Sequence, residues 1–353
     1  MIVYQFQQSS IEHPDRCEDA ILVSPDGASI TPVTEGDTVP MPANDAPPDM
    51  DDAVRNKADT GPIKPAVNAT HYASVFAVID GMGGHQHQLE DGRLLTGQDA
   101  AQLIRKVLLE DLAHFPLECS AAPDGPTERA LLAGITRAHE TVFHELNGSD
   151  DLPLHERIGA VATVVVVCEM GQRLLVAQVG DSRAYLFTDG DLIQLCYDED
   201  NIELLVRRHG LSQSDAVRIS DILNTYDGIH EPQVEGTITL GGQKYELYMA
   251  WRWFLIGNQA LNIPAANVVI NSLGISRTNP VAQKSRIEIG SGDRLLVCSD
   301  GVYKNLSEAE IIAGLQGATD PARAIGEAAV SRSQDTSNRR RNPDDISAIV
   351  VQF

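Results

Sequence analysis

Cysteine is sparse in this 353-residue chain: Cys17, Cys119, Cys168, Cys196 and Cys298 are scattered and form no CxxC pair. That excludes a zinc-knuckle or disulfide framework and fits buried thiols in a reducing compartment. Basic residues are also scarce. Lys and Arg number 27 against 50 Asp and Glu, a net charge of −23 at pH 7, so the far field repels nucleic acids and anionic membrane surfaces. Apolar runs stop at about ten residues, half of what a membrane-crossing helix needs. The opening MIVYQFQQSS lacks a basic region and a cleavage signal, and the expectation is a soluble cytoplasmic protein, monomeric, with no membrane or nucleic-acid partner. The acidic surplus has two readings: solubility, or carboxylates gathered for cations.

Residues 24 to 70 are rich in Pro, Asp and Ala with almost no aromatic residue, and such a stretch does not repay its own ordering entropy. It reads as a mobile acidic insertion. Beyond it, ASVFAVID (73–80) has strand length and stops at the Gly-rich GMGGH. Residues 96–115 and 126–147 then carry apolar positions at helical spacing. VVVVCEMGQRLLVAQVGDSRAYLF (164–187) reads as two strands joined at Gly171, and 201–224 as two short helices, the second capped by Ser212. Aromatic residues are only 5% of the chain, so the stretch 237–257, which holds both tryptophans, stands out. Its alternation reads as a Trp-bearing hairpin inside an insertion at 222–263, either a docking surface or core packing. RIEIGSGDRLLVCSDG and DDISAIVVQF close the chain as strands. The pattern predicts one α+β layered domain without internal repeats.

An acid recurs at the strand edges. Glu18 and Asp19 precede AILV, Asp80 ends FAVI, Asp181 ends LLVAQV, Asp300 ends LLVCS, and Asp344 and Asp345 precede ISAIVV. One such acid is ordinary turn chemistry. Several on strands of one sandwich converge, and carboxylates in one cleft repel unless cations neutralise them. Oxygen ligands alone favour Mg²⁺ or Mn²⁺ over zinc.

RCEDA, VIDGMGGH, VGDSRAYLF, LLVCSDG and DDISAIVV stand in the order and approximate spacing of the metal-dependent serine/threonine protein phosphatases. The chain resembles that PP2C-like (PPM) family, in its bacterial form, from about residue 11 to 353. The resemblance implies an α-β-β-α sandwich of two antiparallel sheets flanked by helices, with two Mg²⁺ or Mn²⁺ ions at one end. Asp80 would bridge both, with the Gly81 carbonyl as a further ligand; Asp300 and Asp344 would complete one shell, Glu18 and Asp19 the other. Asp181 resembles the acid of a third, weaker metal, and Asp198 falls near that position, as a further ligand or a solvated loop acid. A metal-activated water would then hydrolyse phosphoserine and phosphothreonine in proteins, opposing a serine/threonine kinase.

The chain departs from the family at the phosphate-binding arginine, where Pro14 stands. Arg16 lies two residues on, about 6 to 7 Å along the same face of an extended chain, and His13 is the other candidate. If neither serves, the alternative is a weak or inactive pseudophosphatase that binds phosphopeptides as a scaffold. Asp345 replaces a usual Asn. Arg339, Arg340 and Arg341, beside Asp344, are either a guide for phosphorylated segments or a solvated loop.

Overall fold

The computed structural model describes residues 1–24, 74–89, 91–112, 125–148, 152–153, 156–168, 173–256, 258 and 269–353. Nearly all of the acidic stretch and the turn at Gly171 lie outside them. The first half of the chain supplies β1 (Ile2–Gln8), β2 (Ala20–Ser24), β3 (Ser74–Gly81), β4 (Gln86–Gln88), β5 (Leu94–Thr96), α1 (Gly97–Leu112) and α2 (Pro126–Val142). The middle adds β6 (Ala160–Cys168), β7 (Arg173–Val179), β8 (Arg183–Thr188) and β9 (Asp191–Gln194). An inserted unit follows, with α3 (Asn201–His209), α4 (Gln213–Thr225), β10 (Thr237–Leu240), β11 (Gln243–Glu246) and α5 (Leu247–Ile256). The chain closes through β12 (Gln283–Glu288), β13 (Arg294–Cys298), α6 (Asp300–Tyr303), α7 (Glu308–Gly317), α8 (Pro321–Gln334) and β14 (Ile346–Gln352).

A strand that is apolar at every position needs cover on both faces, and the run of valines in β6 receives it. Val165 and Val167 face the space between the sheets with Phe76, Val78, Val297 and Ile349. Val164 and Val166 face the other way, onto Ile104, Leu108, Leu131 and Ile135 of α1 and α2. On the opposite side, Leu296, Ala348 and Val350 pack beneath Ile311, Leu315, Ile325 and Ala329 of α7 and α8. Helix, sheet, sheet and helix thus form four layers, as expected. One sheet has the order β1-β14-β13-β8-β9 and the other β12-β7-β6-β3-β2, and all neighbouring strands are antiparallel. Among the described residues, no helix is long and apolar enough to cross a membrane.

The connections decide where the acids go. β7 and β8 belong to different sheets, so residues 180–182 step across the end of the sandwich. In register, Ala20 faces Ile79, Ala162 faces Val179, and Cys298 lies between Arg183 and Ala348. The start of β2, the end of β3, the end of β13 and the start of β14 therefore share that end.

The inserted unit has its own core of Leu205, Leu211, Ile219, Tyr226, Ile238 and Trp251. Its hairpin is shorter than the sequence pattern predicts. β10 and β11 pair from Thr237↔Glu246 to Leu240↔Gln243, and the chain then turns helical, so both tryptophans lie on α5 and not on a hairpin. Leu247, Ala250 and Trp251 are the helical i, i+3 and i+4 positions and are buried, and over so short a run a period of two and one of 3.6 are not distinguishable. Trp251 is buried against Tyr226, ring centres 5.1 Å apart, and Trp253 against Tyr245 at 5.0 Å. The tryptophans are core, not a docking surface.

Two arginines of the run are engaged within the protein. Arg340 is buried and donates to the carbonyls of Leu223 (2.5 Å), Tyr226 (2.8 Å), Leu306 (2.5 Å) and Tyr303, tying the insertion to the segment after α6. Arg339 pairs with Glu231 at 3.2 Å. These two side chains do not form a free guide for phosphate.

Candidate metal centre

Asp80 is the last residue but one of β3, opposite Val161. Its neighbour Gly81 lies against two other backbones: a Cβ there would stand 2.5 Å from the carbonyl of Gly97 and 2.6 Å from that of Glu18. The Gly81 N–H donates to the Glu18 carbonyl at 3.2 Å. Only glycine allows this approach, which brings the Glu18–Asp19 segment beside Asp80. Asp345 fixes the same segment from the other sheet, accepting from the N–H of Ser10 at 2.6 Å and from that of Glu18. The Asp in place of the usual Asn thus accepts two backbone N–H groups, one on each carboxylate oxygen.

Asp300 opens α6 directly after β13, and Asp344 precedes β14. Ser299 N–H donates to the Ser347 carbonyl at 3.0 Å, holding those two ends together. Asp181 sits in the step between sheets, where Glu199, missed in the sequence, accepts the Gly180 N–H at 3.0 Å and the Asn271 amide at 2.7 Å.

The carboxylates crowd one another. Burial holds Asp80 well above the usual carboxylate range, and Asp19, Asp300, Asp344 and Asp181 push it further. Burial, then Asp300, raises Asp344 from 3.8 to about 7. Asp19 is raised by burial and then by Asp345. Oδ1 of Asp300 is buried without a hydrogen-bond donor, and both buried oxygens of Asp19 lack a well-formed hydrogen bond, with the Ser347 and Ser299 hydroxyls nearby to ease the charge. Such orphaned anionic oxygens are costly unless something positive meets them, and hard oxygen ligands fit Mg²⁺ or Mn²⁺. Among the described residues no three His, Cys, Asp or Glu side chains close around one point as an assembled metal cage. What the fold supplies is a shared cleft of acids with free oxygens.

A pH dependence follows. Asp344 keeps its proton in the folded protein up to about pH 7 but loses it near 3.8 once unfolded, so folding stability falls as pH rises through that window. In chelator, the melting temperature should drop between pH 5 and pH 8. Saturating Mn²⁺ should remove most of the drop, because it binds the deprotonated form. A chelated protein that gains stability over this range would contradict the crowding.

Two expected ligands are otherwise engaged. Asp198 accepts from Arg183 Nε at 2.9 and 3.0 Å and from its Nη2 at 2.5 Å, and Gln194 adds 2.9 Å. It is neither a solvated loop acid nor free for a third metal: the buried guanidinium takes both of its oxygens. Asp181 is met by Lys304, whose Nζ lies 3.4 Å from Oδ2 and also pairs with Asp300. Sequence reading missed Lys304, because a lysine four residues after an acid is an ordinary helical pair.

Residues 11–15 form turns, so Pro14 and Arg16 do not lie on the extended chain from which Arg16 was placed. Arg16 is half-exposed, with Nη2 2.8 Å from Glu18 Oε1, so it reaches the cleft by another path. His13 Nδ1 lies 3.1 Å from the Arg16 carbonyl. A carbonyl only accepts, so that nitrogen carries the proton and braces the turn. Cys17 is buried, and burial raises its thiol pKa far above the ordinary value, which makes it a packing residue.

A family model for protein phosphatase 2C matches residues 64–336; the span holds Asp80, Asp181 and Asp300. The serine/threonine protein phosphatase PstP of Mycobacterium tuberculosis is 25% identical over 281 residues, 79% of this chain but 40% of that protein's length. The probable protein phosphatase 2C 10 of Arabidopsis thaliana is 25% identical over 292 residues, 80% of this chain and 82% of the relative. Among solved structures, serine/threonine phosphatase Stp1 from Staphylococcus aureus superposes with a TM-score of 0.58 at 15% identity, covering 99% of this chain and 94% of that one, a likeness of fold. The family match spans well over half of the chain, and the sandwich with its acid-lined end agrees with it: this chain belongs to the protein phosphatase 2C family.

Proposed function

We infer that the chain hydrolyses phosphoserine and phosphothreonine in proteins, using two divalent cations, Mg²⁺ or Mn²⁺. One observation carries this reading: Asp19, Asp80, Asp300 and Asp344 crowd one end of the sandwich, and Oδ1 of Asp300 is buried there without a hydrogen-bond donor. Such ions supply Lewis acidity and bring the pKa of a bound water near neutrality.

The chain's own part is placement. Asp80 would be shared by the two ions, with the Gly81 carbonyl as a further ligand; Glu18 and Asp19 would hold one ion, Asp300 and Asp344 the other. Asp345 keeps the Glu18 backbone in position through its two accepted N–H bonds. Arg16 is ion-paired with Glu18; were Glu18 engaged by a cation, the Arg16 guanidinium would be the group at the rim able to take two phosphate oxygens side by side. Substrate would thereby lie over the acids without a nucleophile from the protein.

The test is release of phosphate from a phosphothreonine peptide and from p-nitrophenyl phosphate, with and without Mn²⁺. Hydrolysis should require Mn²⁺ and be lost in Asp300→Asn. Arg16→Ala should raise KM for the peptide about tenfold or more, the worth of one charge-assisted contact. Metal-independent hydrolysis would overturn the reading, and tight peptide binding without turnover would favour a scaffold.

A further inference from the structure

The corner between Asp181 and Asp300 already holds a positive charge. Lys304 extends from the end of α6, one turn past Asp300. Its Nζ lies 3.4 Å from Asp181 Oδ2 and pairs with Asp300 Oδ2. The lysine side chain is about one-fifth exposed and the two acids 3% and 10%, so the ammonium is enclosed by them. Tyr303 supports the corner, its hydroxyl donating to the Asp181 carbonyl at 3.0 Å while its ring lies under the Arg183 guanidinium, 3.5 Å from the ring centre.

We propose that Lys304 is a tethered cation that fills the position between Asp181 and Asp300, so that this chain takes two divalent ions and no third. The inference rests on the two-cation reading above. Lys304 divides Asp300 between two tasks: Oδ2 is held by the ammonium, while Oδ1 is buried and without a donor, the oxygen left for a metal. Asp181 in turn becomes the counter-ion of a lysine, not a metal ligand. Lys304 is in this sense a positioning residue. It aims Asp300, and it removes one of the charges that would otherwise repel Asp344 and Asp80.

Two measurements test this on the full chain. In the first, Mn²⁺ bound per chain is counted by equilibrium dialysis with elemental analysis, up to millimolar free metal. The wild type and Asp181→Asn should bind the same number, two, and Lys304→Met should gain one weak site. Loss of an ion in Asp181→Asn, or an unchanged count in Lys304→Met, would overturn the proposal. In the second, the melting temperature is taken in chelator at pH 7.5. Lys304→Met should melt about 5 °C or more below wild type, because two buried acids lose their counter-charge, and millimolar Mn²⁺ should recover most of the difference. A variant as stable as wild type in chelator overturns the tethered charge by itself, even for a chain that binds no Mn²⁺. That last finding would sink the two-cation reading instead.

Discussion

Asp80→Asn should lose Mn²⁺-dependent phosphopeptide hydrolysis by on the order of 10³-fold while the chelated protein becomes more stable. Opposite signs in the two measurements are the point. Asp80 stands among Asp19, Asp300, Asp344 and Asp181, each of which, with burial, disfavours its charge. An amide of the same shape removes that repulsion, and each pKa unit relieved is about 1.4 kcal/mol. The gain in chelator should grow as pH rises and the wild-type acids are forced to ionise, and should vanish in saturating Mn²⁺, where the wild type recovers through binding. An acid conserving only local structure would behave differently: its amide would lower stability or leave it unchanged, and Mn²⁺ would not alter the comparison. Urea denaturation with and without Mn²⁺, read beside the peptide assay, separates the cases.

The acids themselves were legible because each is written next to the apolar run that positions it. AILV, FAVI, LLVCS and ISAIVV each become strands whose marked ends meet. The layering was legible in the same runs, since strands apolar on both faces need helices outside as well as a second sheet inside. What sequence could not show was which charges pair across the fold. Asp198 meets Arg183 fifteen residues away and Arg340 meets carbonyls from two separate stretches, 223–226 and 303–306; neither partnership leaves a periodicity. LYMAWRWFLI was misread for a further reason. Its alternating tryptophans continue the pattern of the hairpin before them, and burial in the insertion's own core, not local preference, makes it a helix. Arg16 failed similarly in detail: strand geometry was assumed for a segment that turns.

Gly301→Ala should cost about 3 kcal/mol or more of stability and at least ~10²-fold of activity, although glycine to alanine inside a helix ordinarily stabilises. A Cβ at residue 301 would lie 2.0 Å from the Asp345 carbonyl oxygen and 2.9 Å from its carbon. Those atoms are backbone, and they cannot swing aside. Relief requires the start of α6 to move away from the start of β14, and Asp300 and Asp344 ride on those two pieces. The glycine of SDG is therefore what lets β13 and β14, neighbours in one sheet, present Asp300 and Asp344 at one place. Gly317, at the end of α7, has nothing within 4 Å of the same added atom; Gly317→Ala should leave hydrolysis unchanged and stability equal to or up to about 1 kcal/mol above wild type. Urea melts and Mn²⁺-dependent phosphopeptide turnover on both variants decide the matter. If Gly301→Ala matches Gly317→Ala in both, close approach of α6 to β14 is not what assembles the acids, and the positions of Asp300 and Asp344 need another cause.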